Sequence, residues 1–188
     1  MPPSAHPDAR FTYDDFLRFP DDGKRHEIID GEHYVTASPN TRHQRLVHRL
    51  SVALGVHVLE HSEQGEVFTA PFDVVMSFHD VVEPDLLVVA ADQSGILTEQ
   101  NVQGAPALVV EVLSPSTRKR DEQVKRRAYE RLGVREYWLV DPELDLVKVF
   151  RREGERLPRV AELSAEAGDQ LETPLLPGLV IGLERLFV

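Results

Sequence analysis

Ala107-Leu-Val-Val-Glu-Val-Leu113, then Ser114-Pro-Ser-Thr117, then the charged stretch Arg118 to Leu132, is the segment from which the fold is read. The first seven residues are apolar on both faces of any strand they form, the mark of an interior strand covered on both sides. Glu111 interrupts them. A lone ionised carboxylate there would lose several kcal/mol of hydration unless paired with a cation or bound to a metal. The Ser-Pro-Ser-Thr turn places Ser116 or Thr117 to cap a following helix. That helix runs to about Leu132 and stops at Gly133.

The same reading extends outward. Glu136 to Val140 is a strand closed by Asp141-Pro142, and Leu146 to Arg151 returns as its hairpin partner. Upstream, Pro84 to Val89 is a short strand opened by Asp85. Residues Val67 to Met76 alternate with period two and are expected as strand. Arg25 to Asp30, Gly31-Glu32 and His33 to Ala37 form a hairpin. Thr12-x-x-Asp15 starts a short helix, and Ser38-Pro-Asn-Thr41 starts a longer one to about His61, with Leu46, Leu50, Leu54 and Val58 at helical period. After Glu153 the pattern weakens into short strands and turns. Strands mixed with two substantial helices predict an α/β or α+β layer fold.

Composition narrows the class. A chain of 188 residues suits one domain, expected over 11–188, with residues 1–10 a frayed tail. Hydrophobic content of 41% and charged content of 28% are those of a globular chain, which argues against disorder. The absence of cysteine excludes disulfides, cysteine-zinc sites and thiol nucleophiles. No apolar run approaches a membrane span and no signal peptide is evident, so a cytoplasmic protein with no membrane partner is expected. The net charge of −11 is unevenly spread. From Arg118 to Arg135, eight basic residues face Asp121, Glu122 and Glu130, leaving +5 there and −16 elsewhere. The acidic balance suits a cation. The basic stretch suits an anion such as the phosphates of nucleic acid, with Arg118, Lys119, Arg126 and Arg127 as candidate contacts.

Candidate chemistry centres on acids at strand ends. Asp85 and Glu111 lie at the ends of short apolar strands and can converge; hard oxygen ligands so arranged suit Mg²⁺ or Mn²⁺. Asp121, Lys125 and Tyr129 follow one another at i, i+4, i+8 and share a helix face, with Lys125 at the border of the buried side. An ammonium there could orient water and stabilise a pentacovalent phosphate. Asp73 could join the acidic cluster or face solvent. His57 and His61, at i, i+4, have a zinc-binding spacing without an apparent third ligand.

Taken together, Pro84-Asp85, Val110-Glu-Val-Leu-Ser-Pro-Ser-Thr117, Asp121-x3-Lys125-x3-Tyr129 and Tyr137-Trp-Leu-Val-Asp-Pro142 resemble the Uma-two family of restriction endonucleases. The likeness extends to Arg25-His-Glu-Ile-Ile-Asp-Gly-Glu32 and Ser38-Pro-x3-His43. It implies a restriction-endonuclease-like α/β core, a mixed central β-sheet flanked by helices. It also implies a Mg²⁺- or Mn²⁺-dependent endonuclease acting on nucleic acid, DNA above all, and working as a homodimer. Asp85 and Glu111 would be catalytic metal ligands, with Glu27 and His43 as secondary candidates. The parent nuclease pattern has a lysine two residues after the second acid, where this chain has Leu113; Lys125 is the displaced equivalent. Two other readings stay open at this point: a catalytically inactive nucleic-acid-binding or regulatory module, favoured by Leu113, and a metal-dependent hydrolase of another phosphate ester, favoured by the −11 charge.

Overall fold

The computed structural model describes residues 10–188. The expected tail lies outside the described residues except for Arg10, which is tied down: its guanidinium meets the Asp30 carboxylate and its Nε donates to the Asp30 carbonyl.

The chain begins with α1 (Tyr13–Phe16), entered through a reciprocal capping box between Thr12 and Asp15. The hairpin strands β1 (Arg25–Ile29) and β2 (Glu32–Thr36) follow. Asp30 (φ 54°) and Gly31 (φ 78°) are both left-handed, as a two-residue hairpin turn of this hand demands. Helix α2 (Thr41–Glu60) starts at Asn40, whose side chain accepts from the His43 N–H. Next come β3 (Gly65–Thr69), β4 (Val74–Ser77), β5 (Asp80–Val82), β6 (Leu86–Ala90), β7 (Val102–Gln103) and β8 (Leu108–Val112). A π-helical segment (Arg120–Lys125) runs into α3 (Arg126–Leu132), which ends at left-handed Gly133. Strands β9 (Glu136–Asp141), β10 (Leu146–Arg151), β11 (Arg159–Ser164), β12 (Gln170–Leu171) and β13 (Ile181–Gly182) precede α4 (Leu183–Leu186).

The central sheet is mixed, in the order β11-β10-β9-β8-β6-β3. Its β8–β9 pair is parallel and its other pairs antiparallel. Every residue of β6, β8 and β9 is buried, which is why these strands read as continuous apolar runs. Alternate side chains enter two cores. On one face Leu86, Val88, Val110, Val112 and Trp138 meet Leu46, Leu50 and Leu54 of α2, each fully buried leucine contributing ~2 kcal/mol. On the other, Leu87, Val89, Val109, Tyr137 and Leu139 meet Ala128 and Tyr129 of α3, with Ile29, Val74 and Val82 of a second sheet ordered β2-β1-β5-β4-β7.

Two expectations are corrected. Val67 to Met76 is not one strand: the chain breaks at Ala70-Pro71, β3 staying in the central sheet and β4 joining the second. Proline has no N–H for the ladder, and the alternation simply continues across the break. The helix expected to about Leu132 is not uniformly α, because its turns over Arg120–Lys125 are π-helical. Inside them the Asp121 carbonyl accepts from the Tyr137 hydroxyl at 3.2 Å.

Candidate active site

Sheet register explains why two acids meet. Strands β6 and β8 are antiparallel with Leu86 opposite Val110, so one step further out Asp85 stands opposite Glu111 on the same face. Like charges directly opposite destabilise a sheet, so compensation is required. Asp85 receives it at both oxygens. Oδ1 accepts from Arg25 at 3.0 Å; Oδ2 accepts from the Val112 N–H at 2.9 Å and lies 3.1 Å from His43 Nε2. Burial raises the Asp85 carboxyl, but the hydrogen bond and charge of His43, then Arg25 and the Val112 N–H, outweigh it and bring it to about 2.

Glu111 is compensated from the helix. Its Oε1 accepts from Lys125 Nζ and from the Tyr129 hydroxyl, each at 2.7 Å. Lys125 also lies 2.7 Å from Glu27 Oε1, which accepts in addition from the Glu83 N–H at 3.0 Å. A buried ammonium thus bridges β8 of the central sheet and β1 of the second. Burial pushes Glu111 up to about 8, with Asp121, Asp85 and Glu27 adding to the effect against the pull of Lys125. Burial also pulls on Lys125, yet Glu111, Glu27 and Asp121 hold it above its ordinary value. Burial raises Asp121. Buried Glu27 goes the other way, held below the usual range by Lys125 and Arg120.

These groups floor a cleft of about 650 Å³ lined by Arg25, His43, Asp85, Glu111, Asp121 and Lys125, with Asn40, Ser114 and Arg120 among its wall residues. Part of the floor is loosely knit. Arg120 stands 3.6 Å from Glu27 Oε2 and 3.7 Å from Asp121 Oδ1, too far for hydrogen bonds. Those two oxygens and His43 Nδ1 are buried without a hydrogen-bond partner.

Of the sequence candidates, Asp85, Glu111, Lys125, Tyr129, Asp121, Glu27 and His43 are therefore brought together. Asp73 is not: it lies beside Glu83 outside the cleft lining, its carboxyl raised by burial. Arg118, Lys119, Arg126 and Arg127 also lie outside the lining. Arg118 makes a two-pronged pair with buried Asp141 at 2.6 and 2.9 Å, and Arg126 sits over the Phe150 ring. Arg131 and Arg135 are taken by Asp80 and Asp92. The +5 stretch is thus largely neutralised by partners remote in sequence, which its composition could not reveal. Arg118→Ala is expected to cost about 2 kcal/mol of stability by stranding Asp141, measured by urea unfolding. The zinc spacing of His57 and His61 is spent locally: His57 Nε2 pairs with Gln64, and His61 Nδ1 with the His57 carbonyl.

Sequence reasoning missed Arg25, Glu83 and Arg120. For Arg25 a signal existed, since it is two residues from Glu27 and a strand turns i and i+2 to one face. Arg25 also binds Glu83 at 2.7 Å.

Comparisons with known proteins agree with this architecture. Residues 13–184 match the model of the Uma2 family, described as "Putative restriction endonuclease". An uncharacterized protein of Synechocystis sp. is 27% identical over 145 residues, covering 76% of this chain and 81% of that one. The crystal structure of a protein from Anabaena variabilis, titled a putative nuclease belonging to DUF820, superposes with a TM-score of 0.78 at 19% identity, covering 94% of this chain and 97% of that one. That likeness speaks for the fold, and the family match extends over nearly the whole chain. The chain belongs to the Uma2 family of restriction-endonuclease-like proteins.

Proposed function

We propose that the protein is a divalent-metal-dependent endonuclease that hydrolyses phosphodiester bonds of nucleic acid, with DNA as its substrate. The observation that carries this reading is Asp85 opposite Glu111 at the floor of the cleft, with Lys125 Nζ 2.7 Å from Glu111.

The floor suits a divalent cation by charge. Glu27, Glu83, Asp85, Glu111 and Asp121 are five carboxylates around three fixed cations, Arg25, Arg120 and Lys125, an excess of two negative charges when all are ionised. Among the described residues no three carboxylate or imidazole groups form a ready-made metal cluster. Mg²⁺ is suited to such a site, since it commonly takes one or two carboxylates and keeps water and substrate phosphate for the rest. Asp85 and Glu111 would hold it. When bound, it supplies Lewis acidity toward the phosphoryl oxygen and a water of lowered pKa.

The chain's own residues do the rest. Lys125 has three donors and spends two on Glu27 and Glu111, leaving one for a phosphate oxygen. Tyr129 fixes the same Glu111 oxygen. His43, with Nε2 on Asp85, keeps Nδ1 to hold or release a proton at the floor of the cleft. Lys125 thereby answers the absence of a lysine at Leu113, which weighs against the inactive-module reading.

The commitment of Arg118, Arg131 and Arg135 to ion pairs favours a second reading, hydrolysis of a small phosphate ester. Salt dependence separates the two. For the nuclease, oligonucleotide affinity measured in Ca²⁺ by fluorescence anisotropy falls with salt, with a log–log slope of about −2 to −3 for the few phosphates still met. Arg126→Glu with Arg127→Glu flattens that slope. No binding, or salt-independent binding, supports the small ester.

A further inference from the structure

Four basic side chains line the cleft, Lys24, Arg25, Arg120 and Lys125. Three of them are largely committed. Arg25 spends Nε on Glu83 at 2.7 Å and Nη1 on Asp85 at 3.0 Å. Lys125 bridges Glu27 and Glu111, and exposed Lys24 pairs with Asp22 at 3.0 Å. Arg120 is the exception. Two carboxylates flank its guanidinium, yet at 3.6 and 3.7 Å it hydrogen-bonds neither. Thr36 is its one hydrogen-bond partner among the described residues, accepting from Nη2 at 2.6 Å, and the Tyr34 ring lies against it with the centroid 5.7 Å away. Its Nε is buried with no partner; its Nη1 also has none among the described residues and is not buried. Held by a ring face and a hydroxyl, Arg120 keeps the planar fork of donors that Arg118 and Arg131 give to Asp141 and Asp80.

The π-helical segment is a second, independent observation. Residues five apart in an α-helix point about 140° away from each other. In a π-helix, with its hydrogen bonds spanning five residues, they come round to the same side. Arg120 and Lys125 are the first and last residues of that segment. They approach the two oxygens of one carboxylate, Arg120 beside Glu27 Oε2 and Lys125 at Oε1. The wider turn thus sets a second cation next to the one at the proposed reaction centre.

We propose that Arg120 grips the nucleic-acid strand, donating from Nη1 and the second hydrogen of Nη2 to the phosphate next to the one that Lys125 addresses. A planar fork with two free donors matches two phosphate oxygens. This role rests on the nuclease reading. It places a strand contact inside a cleft that Arg118, Lys119, Arg126 and Arg127 do not line.

Fluorescence anisotropy of a labelled, mixed-sequence single-stranded oligonucleotide, in Ca²⁺ and over a range of salt, tests this role. Arg120→Met is expected to weaken binding by about 10- to 100-fold and to flatten the log–log salt slope by about one. Its Mn²⁺ affinity by calorimetry should hold or rise, because a cation beside the acidic floor is gone. Arg120→Lys keeps the charge and the slope but not the fork, so its affinity falls between those of Arg120→Met and wild type. Thr36→Val removes the hydroxyl that joins Arg120 to β2. If Arg120 only tied the hairpin to the helix, that change would match Arg120→Met; it is expected to leave the slope unchanged. If circular dichroism shows Arg120→Met unfolded, Arg120→Lys decides. Unchanged binding and slope in folded Arg120→Met, or Arg120→Lys indistinguishable from wild type, overturns the role and leaves the nuclease reading intact. So does an equal loss of affinity in Arg120→Met and Thr36→Val with no change of slope. A wild type that does not bind the oligonucleotide at all overturns both.

Discussion

Lys125→Met is expected to lower stability by about 3–5 kcal/mol, because it leaves two buried carboxylates without their shared cation. Lys125 is 1% exposed and bridges Glu27 and Glu111 at 2.7 Å each. Methionine fills similar volume, so the loss is electrostatic rather than a cavity. It should also depend on pH. Burial raises Glu27, and in the wild type Lys125 leads the groups that hold it below its ordinary value, so removing Lys125 moves Glu27 upward. A carboxyl whose folded value is raised stabilises below its unfolded value and loses that contribution as pH rises through the folded one. The deficit is therefore small near about pH 4, grows as Glu27 ionises in the wild type, and grows further above about pH 8, where Glu111 ionises in the wild type and stays protonated longer in the variant. Urea unfolding across this range measures it. Lys119→Met, an exposed neighbour, should stay within about 0.5 kcal/mol. At temperatures where the Lys125→Met protein is folded, cleavage should fall by about 10²-fold, the effect of losing one electrostatic stabiliser.

The second large effect separates the two acids. Asp85→Asn and Glu111→Gln are each expected to weaken Mn²⁺ binding by about 100-fold or more, beyond the loss typical of removing a residue that only supports a ligand. Their effects on stability should differ. Both Asp85 oxygens accept hydrogen bonds, so the amide of asparagine sets donor against donor and costs about 1–3 kcal/mol. Glutamine at 111 can still accept from Lys125 and Tyr129 through its one oxygen, while removing the charge opposite Asp85. Glu111→Gln should therefore keep or gain stability while losing metal. Calorimetry and thermal unfolding on the same samples measure both; unchanged Mn²⁺ affinity in Glu111→Gln would remove Glu111 as a ligand.

Much of this site was legible from local patterns. An acid inside a doubly apolar run marked Glu111, Gly133 marked the end of α3, and Gly31 marked the hairpin, although its turn is Asp30-Gly31, one residue before the Gly31-Glu32 read from the sequence. Pro71 should have divided Val67 to Met76, since its missing N–H is a local fact; the uninterrupted alternation hid it. Other features were not local. The opposition of Asp85 and Glu111 depends on the antiparallel register of β6 and β8, although they are separated by 26 positions. The pairing of Arg118 with Asp141 requires β9 to lie beside β8. The π-helical segment involves a carbonyl that accepts from Tyr137, a residue beyond the helix. The C-terminal region read as weak short strands, yet Leu171, Leu176, Leu179 and Leu183 complete the core beneath α2. Their spacing follows an irregular path and has no period to detect.

The proposed chemistry is tested most directly by incubating the purified protein with a mixed pool of single- and double-stranded DNA, with Mg²⁺ or Mn²⁺ and with chelator. The account predicts internal cleavage that requires the metal and disappears in Glu111→Gln, although that variant remains folded. Cleavage that persists in chelator or in Glu111→Gln, or no cleavage at all by folded wild type at saturating metal, would contradict it.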